Sequence, residues 1–203
     1  MMVKICGITR QQDAEAAVAH GASAIGFIFW PDSPRFIDPY RARTIARTLP
    51  PFVSTVGVFV NQPRDYINGV ASLVPLSVVQ LHGDEPPAFA TRLSRPVMKA
   101  ITRPERAPEW PKQVMLLFDV HDPIKRGGTG RVVDWTAAAT VARERRIVLA
   151  GGLTPDNVAD AVAAVQPFGI DVSSGVELSP GIKDERRVAA LFAAIRRSRV
   201  STI

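Results

Sequence analysis

The chain has one cysteine, Cys6, and it stands at the end of a short apolar run, residues 3–6. A later run, residues 115–120, carries an aspartate, Asp119. If both runs are strands that end at one cavity, a thiol and a carboxyl group face that cavity from different sides. This suits a reaction in which one group donates a proton and the other removes one elsewhere on the substrate. Each residue also has a plainer use. By type alone a lone cysteine is more often a small buried hydrophobe, and a strand-end aspartate as readily caps the loop that follows.

Two further segments carry groups suited to an anion: Gly151-Gly152, and Ser173-Ser174-Gly175. Glycine lets backbone N–H groups approach an anion closely, serine adds donors, and a helix N-terminus contributes a favourable dipole. A single Gly-Gly pair is commonly just a tight turn, but two such segments in neighbouring loops point to a bound phosphate. Side chains alternate along a strand, so Lys4 shares a face with Cys6, and Asp171 shares one with Ser173. Polar residues at inward positions need a partner or a purpose. A free thiol titrates near ~8.5, so Cys6 needs an electropositive setting to act as a thiolate near neutral pH, and Lys4 is placed to supply it. Asp119 conversely needs a raised pKa to arrive protonated, through burial or the proximity of Asp171.

The elements that must position these groups alternate regularly. Short apolar or β-branched runs predict strands at residues 3–6, 24–29, 54–60, 78–82, 97–101, 115–120, 147–150 and 169–172. Between and after them, amphipathic segments predict helices at residues 10–19, 39–48, 63–72, 86–93, 134–145, 155–164 and 184–197. Prolines at or near the first turn, as in Asp38-Pro39 and Thr154-Pro155-Asp156, match helix-start preferences. Residues 103–111 hold three prolines and predict at most a short turn of helix. Eight strands with crossovers form either a closed barrel or a doubly wound open sheet. The count favours the barrel: an α/β chain folded as a single (β/α)8 TIM barrel, one domain over residues 1–203, of minimal length and with one irregular βα unit after the fifth strand. In such a barrel the chemistry is built at the carboxyl ends of the strands, where Cys6, His82, Asp119, Gly151 and Ser173 all fall.

Composition narrows the class. Hydrophobic residues make up 46% of the chain without any apolar stretch of about 18 residues, so no membrane span is expected. The first residues lack the apolar core of a secretory signal, which places the protein in the cytoplasm. The formal charge of +6 would suit nucleic acid or an anionic small molecule. Its arginines are spread over several helices with no interleaved aromatics, which argues against nucleic acid. His20, His82 and His121 are scattered and predict no metal site, and no GxGxxG follows the first strand, so no cofactor is expected. The oligomeric state is not legible.

Several segments resemble one family in the same order along essentially the whole chain. They are KICGIT (4–9), GASAIGFIF (21–29), SPR (33–35), VGVFVN (56–61), VQLHGDE (79–85), GGTG (127–130), LAGGLTPDNV (149–158), DVSSGVE (171–177) and PGIKD (180–184). The chain is similar to the phosphoribosylanthranilate isomerases of tryptophan biosynthesis. The resemblance implies a cofactor-free aldose–ketose isomerase that converts N-(5'-phosphoribosyl)anthranilate to 1-(2-carboxyphenylamino)-1-deoxyribulose 5-phosphate by an Amadori rearrangement. It implies Cys6 as general base and Asp119 as general acid, and Arg35 as the fork that holds the anthranilate carboxylate. Lys4, His82 and Asp171 join Arg35 as substrate-binding residues, and Gly151, Gly152, Ser173, Ser174 and Gly175 hold the phosphate. A small hydroxyl residue is more usual after the aspartate, so Val120, His121, Lys125 and Arg126 depart from the family pattern. Rival readings are an aminosugar isomerase of the histidine-biosynthesis kind, which uses an aspartate pair and two phosphate sites, and a non-catalytic binder of phosphorylated ligands. The second has no need of Cys6 opposite Asp119.

Overall fold

The computed structural model describes residues 1–119 and 135–200. Its strands are β1 (Met2–Cys6), β2 (Ala24–Ile28), β3 (Ser54–Phe59), β4 (Val78–Leu81), β5 (Val97–Ile101), β6 (Met115–Asp119), β7 (Ile147–Ala150) and β8 (Gly169–Val172). All pair in parallel in sequence order, and β8 returns to β1 to close the barrel through the register Lys4 to Asp171. The helices are α1 (Gln11–His20), α2 (Pro39–Ala46), α3 (Arg64–Leu73), α4 (Pro87–Ala90), α5 (Thr136–Glu144), α6 (Val158–Val165) and α7 (Glu185–Val200). The expected strands are all present, with ends one residue shorter at β2, β3 and β4. Val120, the expected start of the fifth helix at Asp134, the GGTG segment, His121, Lys125 and Arg126 lie outside the described residues. Among the described residues no helix is long and apolar enough to cross a membrane.

Period-two strands and period-3.6 helices create two separate cores. The larger lies between barrel and helices, where Phe27, Phe29 and Phe59 are fully buried and the rings of Phe29 and Phe59 stack 5.3 Å apart. Each such burial stabilises the fold by roughly 1.5–3 kcal/mol. Helix α3 joins this layer through Ile67, Val70 and Ala71, and α6 through Val158, Ala161 and Val165, spacings that share one helical face. The smaller core fills the barrel itself with Ala24, Val56, Met98, Leu117, Val148 and Ala150.

Local chemistry accounts for the departures from expectation. Helix α4 has four residues instead of the eight expected at 86–93. Beyond it the chain is held by the side chain of Asn68, which donates to the Arg92 carbonyl and accepts from the Ser94 amide. Helix α6 begins three residues late because Thr154 to Asn157 form a turn of their own, in which Asn157 Oδ1 accepts from the Thr154 amide at 2.8 Å. After β5 the proline-rich segment makes a 3-10 helix, Pro104–Glu109. The Arg145 guanidinium donates to the carbonyls of Ala107, Trp110, Pro111 and Val114, doing for this segment what helical bonds do elsewhere. Burial lowers the pKa of that guanidinium. A short 3-10 turn, Ser174–Val176, and a hairpin of β9 (Glu177–Ser179) and β10 (Ile182–Lys183) follow β8. Strands of two and three residues leave no periodic signal in a sequence.

Candidate active site

The carboxyl ends of the strands enclose a cavity of about 740 Å³ lined by Cys6, Arg35, Gln80, His82, Asp119, Gly151, Gly152, Asp171, Ser173 and Ser174, among others. Cys6 on β1 and Asp119 on β6 therefore share one cavity, with β7 and β8 between them on the shorter way around the barrel.

Cys6 is buried, and Gly26 makes room for it. Gly26 is its register partner on β2, and a Cβ there would stand 2.9 Å from both the Cys6 sulfur and Lys4 Cε. Lys4 is itself buried and bonds Asp171 Oδ2 at 2.9 Å. Burial is the largest influence and works to lower the pKa of its ammonium, but Asp171 and Cys6 together outweigh burial and the net shift is upward. For the Cys6 thiol, burial is the largest influence and raises the pKa; Lys4 pulls it down but does not win. The pull of Lys4, expected from the sequence to make the setting of Cys6 electropositive, is thus smaller than the effect of burial. Lys4 shares its charge with Asp171, whose own negative charge also raises the thiol. Asp171 Oδ1 is buried with no hydrogen-bond partner among the described residues and remains an acceptor.

Asp119 is about one-quarter exposed, and its Oδ2 lies 3.4 Å from Nε2 of His82, just past the end of β4. His82 Nδ1 lies 3.0 Å from Nε2 of Gln80. Gln80 is almost wholly buried, a polar inward residue in an otherwise apolar strand, and period-two reading from His82 would have found it. The loop after β4 rests on a buried ion pair, Lys99 with Glu85 at 2.9 Å, whose carboxylate also accepts from the Gly83 and Asn61 amides.

Arg35 follows β2 and reaches the cavity, but its Nε and Nη2 form a fork on Glu177, at 3.0 and 2.7 Å. Its Nη1 donates to no acceptor among the described residues. The glycine at position 7, with φ of 73°, lets the Arg35 stem cross: a Cβ there would sit 2.7 Å from Arg35 Cδ. Glu177 also receives Lys183 Nζ at 2.7 Å. Burial alone would raise the Glu177 carboxyl, but these hydrogen bonds outweigh it and hold its pKa below the ordinary value. Burial lowers that of Lys183 in spite of Glu177. Nothing local in the sequence marks the pairing of Glu177 with Arg35, which lies 142 residues away.

The two glycine-rich loops meet. Gly151 and Gly152 take positive φ, 94° and 60°, and the side chain of Asn157 donates to the Gly152 carbonyl at 3.0 Å. The N–H groups of Gly152 and Ser174 have no acceptor among the described residues. The Ser173 hydroxyl donates instead to the Cys6 carbonyl at 3.1 Å, so that group is committed to joining β8 to β1. Gly175 packs directly on the Leu153 carbonyl. Among the described residues no three His, Cys, Asp or Glu side chains are placed to hold a metal ion.

Known proteins resemble this chain in sequence and fold. Residues 3–194 match the family described as PRAI: N-(5'phosphoribosyl)anthranilate (PRA) isomerase. The N-(5'-phosphoribosyl)anthranilate isomerase of Geobacter sp. (strain M21) is 50% identical over 199 residues, covering 96% of this chain and 98% of that protein. Among solved structures, phosphoribosyl anthranilate isomerase from Thermotoga maritima superposes with a TM-score of 0.90 at 42% identity, covering 97% of this chain and 99% of that one. A phosphoribosyl anthranilate isomerase in complex with reduced 1-(o-carboxyphenylamino)-1-deoxyribulose 5-phosphate gives a TM-score of 0.87 at 40% identity, covering 97% and 99%. With sequence and barrel agreeing over nearly the full length, the chain belongs to the N-(5'-phosphoribosyl)anthranilate isomerase family.

Proposed function

We propose that this chain isomerises N-(5'-phosphoribosyl)anthranilate to 1-(2-carboxyphenylamino)-1-deoxyribulose 5-phosphate as a cytoplasmic, cofactor-free enzyme. The observation that carries the reading is one cavity with Cys6 and Asp119 on different sides and two uncommitted N–H groups, of Gly152 and Ser174, at its edge. Asp119 protonates the furanose oxygen as the C1'–O bond breaks, which leaves a protonated Schiff base. Cys6, as thiolate, removes the proton from C2', and the electron pair of that bond forms the enolamine. The enol proton is then lost and C1' gains one, giving the ketone. The substrate thus takes one proton from Asp119 and gives one to Cys6, and the enzyme resets when solvent returns a proton to the carboxylate and removes one from sulfur. The cationic Schiff base brings positive charge beside Cys6 at the moment its ionisation is needed, which works against the burial that raises the thiol's pKa. Asp171 and His82 line the path of the ribose with Lys4 held behind Asp171, Arg35 meets the anthranilate carboxylate through Nη1, which has no acceptor among the described residues, and the loops after β7 and β8 take the phosphate. Expression in a tryptophan auxotroph lacking only this isomerase should restore growth. Cys6→Ala and Asp119→Ala, each folded by circular dichroism, should lose turnover by at least about a hundredfold. Near-native turnover in either variant would remove the role given to that residue.

A further inference from the structure

We propose that Gln80 is a positioning residue that sets the tautomer of His82, and through it the hydrogen bond that steadies Asp119 once its proton has gone to the substrate. The inference rests on the reading of Asp119 as the acid. Gln80 and His82 are two residues apart and face the cavity together. The amide Nε2 of Gln80 only donates, and it lies 3.0 Å from His82 Nδ1. That nitrogen must then carry the lone pair, and the imidazole proton sits on Nε2, turned toward Asp119 Oδ2 at 3.4 Å. A small rotation of the ring brings this approach within hydrogen-bond range. With Oδ2 held this way, the acidic proton belongs on Oδ1, free to reach the ring oxygen. The opposite tautomer would aim a lone pair at the new carboxylate.

Burial makes the arrangement specific. Gln80 is 1% exposed, so no water competes for its amide, and its Oε1 has no partner among the described residues. A substrate hydroxyl donating to Oε1 would hold the amide in the orientation described. Among the described residues the other charged or titratable groups at the cavity are Cys6, Arg35 on Glu177, which also holds Lys183, and Asp171 on Lys4, with the Lys99–Glu85 pair behind the loop of His82. The Lys4–Asp171 and Lys99–Glu85 pairs are internally neutralised, and Glu177 is shared by two cations, Arg35 and Lys183, which leaves Asp119 as the carboxylate the imidazole answers to.

The test combines nitrogen-15 NMR of the His82 ring with kinetics. In the native protein the ring should show an unprotonated Nδ1 and a protonated Nε2. Gln80→Met, which cannot donate, should relax the ring to a mixture of tautomers, and Gln80→Glu, which only accepts, should move the proton to Nδ1. Both should lower kcat by roughly ten- to a hundredfold, the value of a hydrogen bond to a charged group, with little change in KM. In a His82→Gln background, where an amide replaces the ring and there is no tautomer to set, Gln80→Met should cost much less. A native ring protonated on Nδ1, a tautomer unmoved by either substitution, or an equal loss from Gln80→Met in both backgrounds would overturn the proposal. Failure of the underlying reading shows separately, as near-native turnover in Asp119→Ala, because the ring's tautomer is read without turnover.

Discussion

Replacing Gly175 with alanine should weaken inorganic phosphate binding by at least about tenfold. A Cβ at this position would lie 2.9 Å from the Leu153 carbonyl carbon and 3.1 Å from Thr154 Cα, with the Leu153 oxygen nearer still. Carbon atoms settle at about 3.5–4.0 Å, so the loops after β7 and β8 must part by roughly 1 Å. The obstacle is backbone on both sides and cannot rotate away. A donor that starts about 2.9 Å from a phosphate oxygen then ends beyond hydrogen-bond range. One lost bond to a charged group is about 1.5–3 kcal/mol, or roughly ten- to 150-fold in affinity. Isothermal titration with phosphate, alongside the native protein, measures it directly. Gly69→Ala is the control: it sits within α3, where an added Cβ would meet nothing within 4 Å, and should leave binding unchanged while stabilising the helix by about 0.5–1 kcal/mol. Native phosphate affinity in a folded Gly175→Ala protein would refute the assignment of the anion to these loops.

Arg35→Ala should weaken binding of a reduced product analogue bearing the anthranilate carboxylate by about tenfold or more, yet leave inorganic phosphate within about threefold; equal losses would indicate collapse of the site. Because burial holds the Cys6 thiol above its ordinary pKa, iodoacetamide should modify the folded protein more slowly at neutral pH than the unfolded chain, and Lys4→Met should slow it further. The same shift makes the neutral thiol the form the fold prefers: its contribution to stability is complete below the unfolded pKa and is lost as pH rises through the folded one. Equal alkylation rates in folded and unfolded protein would contradict this. Arg145→Met strips four carbonyls of their donor and should lower stability by about 2–4 kcal/mol in urea denaturation.

Much of this was written locally. The strands were legible because β-branched and apolar runs alternate with amphipathic segments, and Cys6, Asp119 and the glycine loops followed from knowing that barrel chemistry gathers at strand ends. The proline-rich segment after β5 announced its own irregularity. What stayed hidden depends on partners distant in sequence. Arg35 reads as a free fork until Glu177 is found on it. Ser173 reads as an anion donor until its hydroxyl is seen on Cys6. The charge state of Cys6 turns on depth of burial against the pull of a lysine already paired, a balance that residue types do not disclose.

Closure of the barrel between β1 and β8 also orders events in folding. The Lys4–Asp171 pair, the bond from Ser173 to the Cys6 carbonyl, the Lys183 amide on Asp13 and the Thr9 hydroxyl on Gly181 each join residues near opposite ends of the chain. Contacts of such separation bear the largest loop-closure entropy and tend to form last. Lys4, beside Cys6 on β1, therefore gains its carboxylate partner, and the cavity its second glycine-rich loop, only when the final strand docks. A chain still emerging from synthesis can hold most of its strands and none of its chemistry, so recovery of turnover during refolding should report the last seam to close.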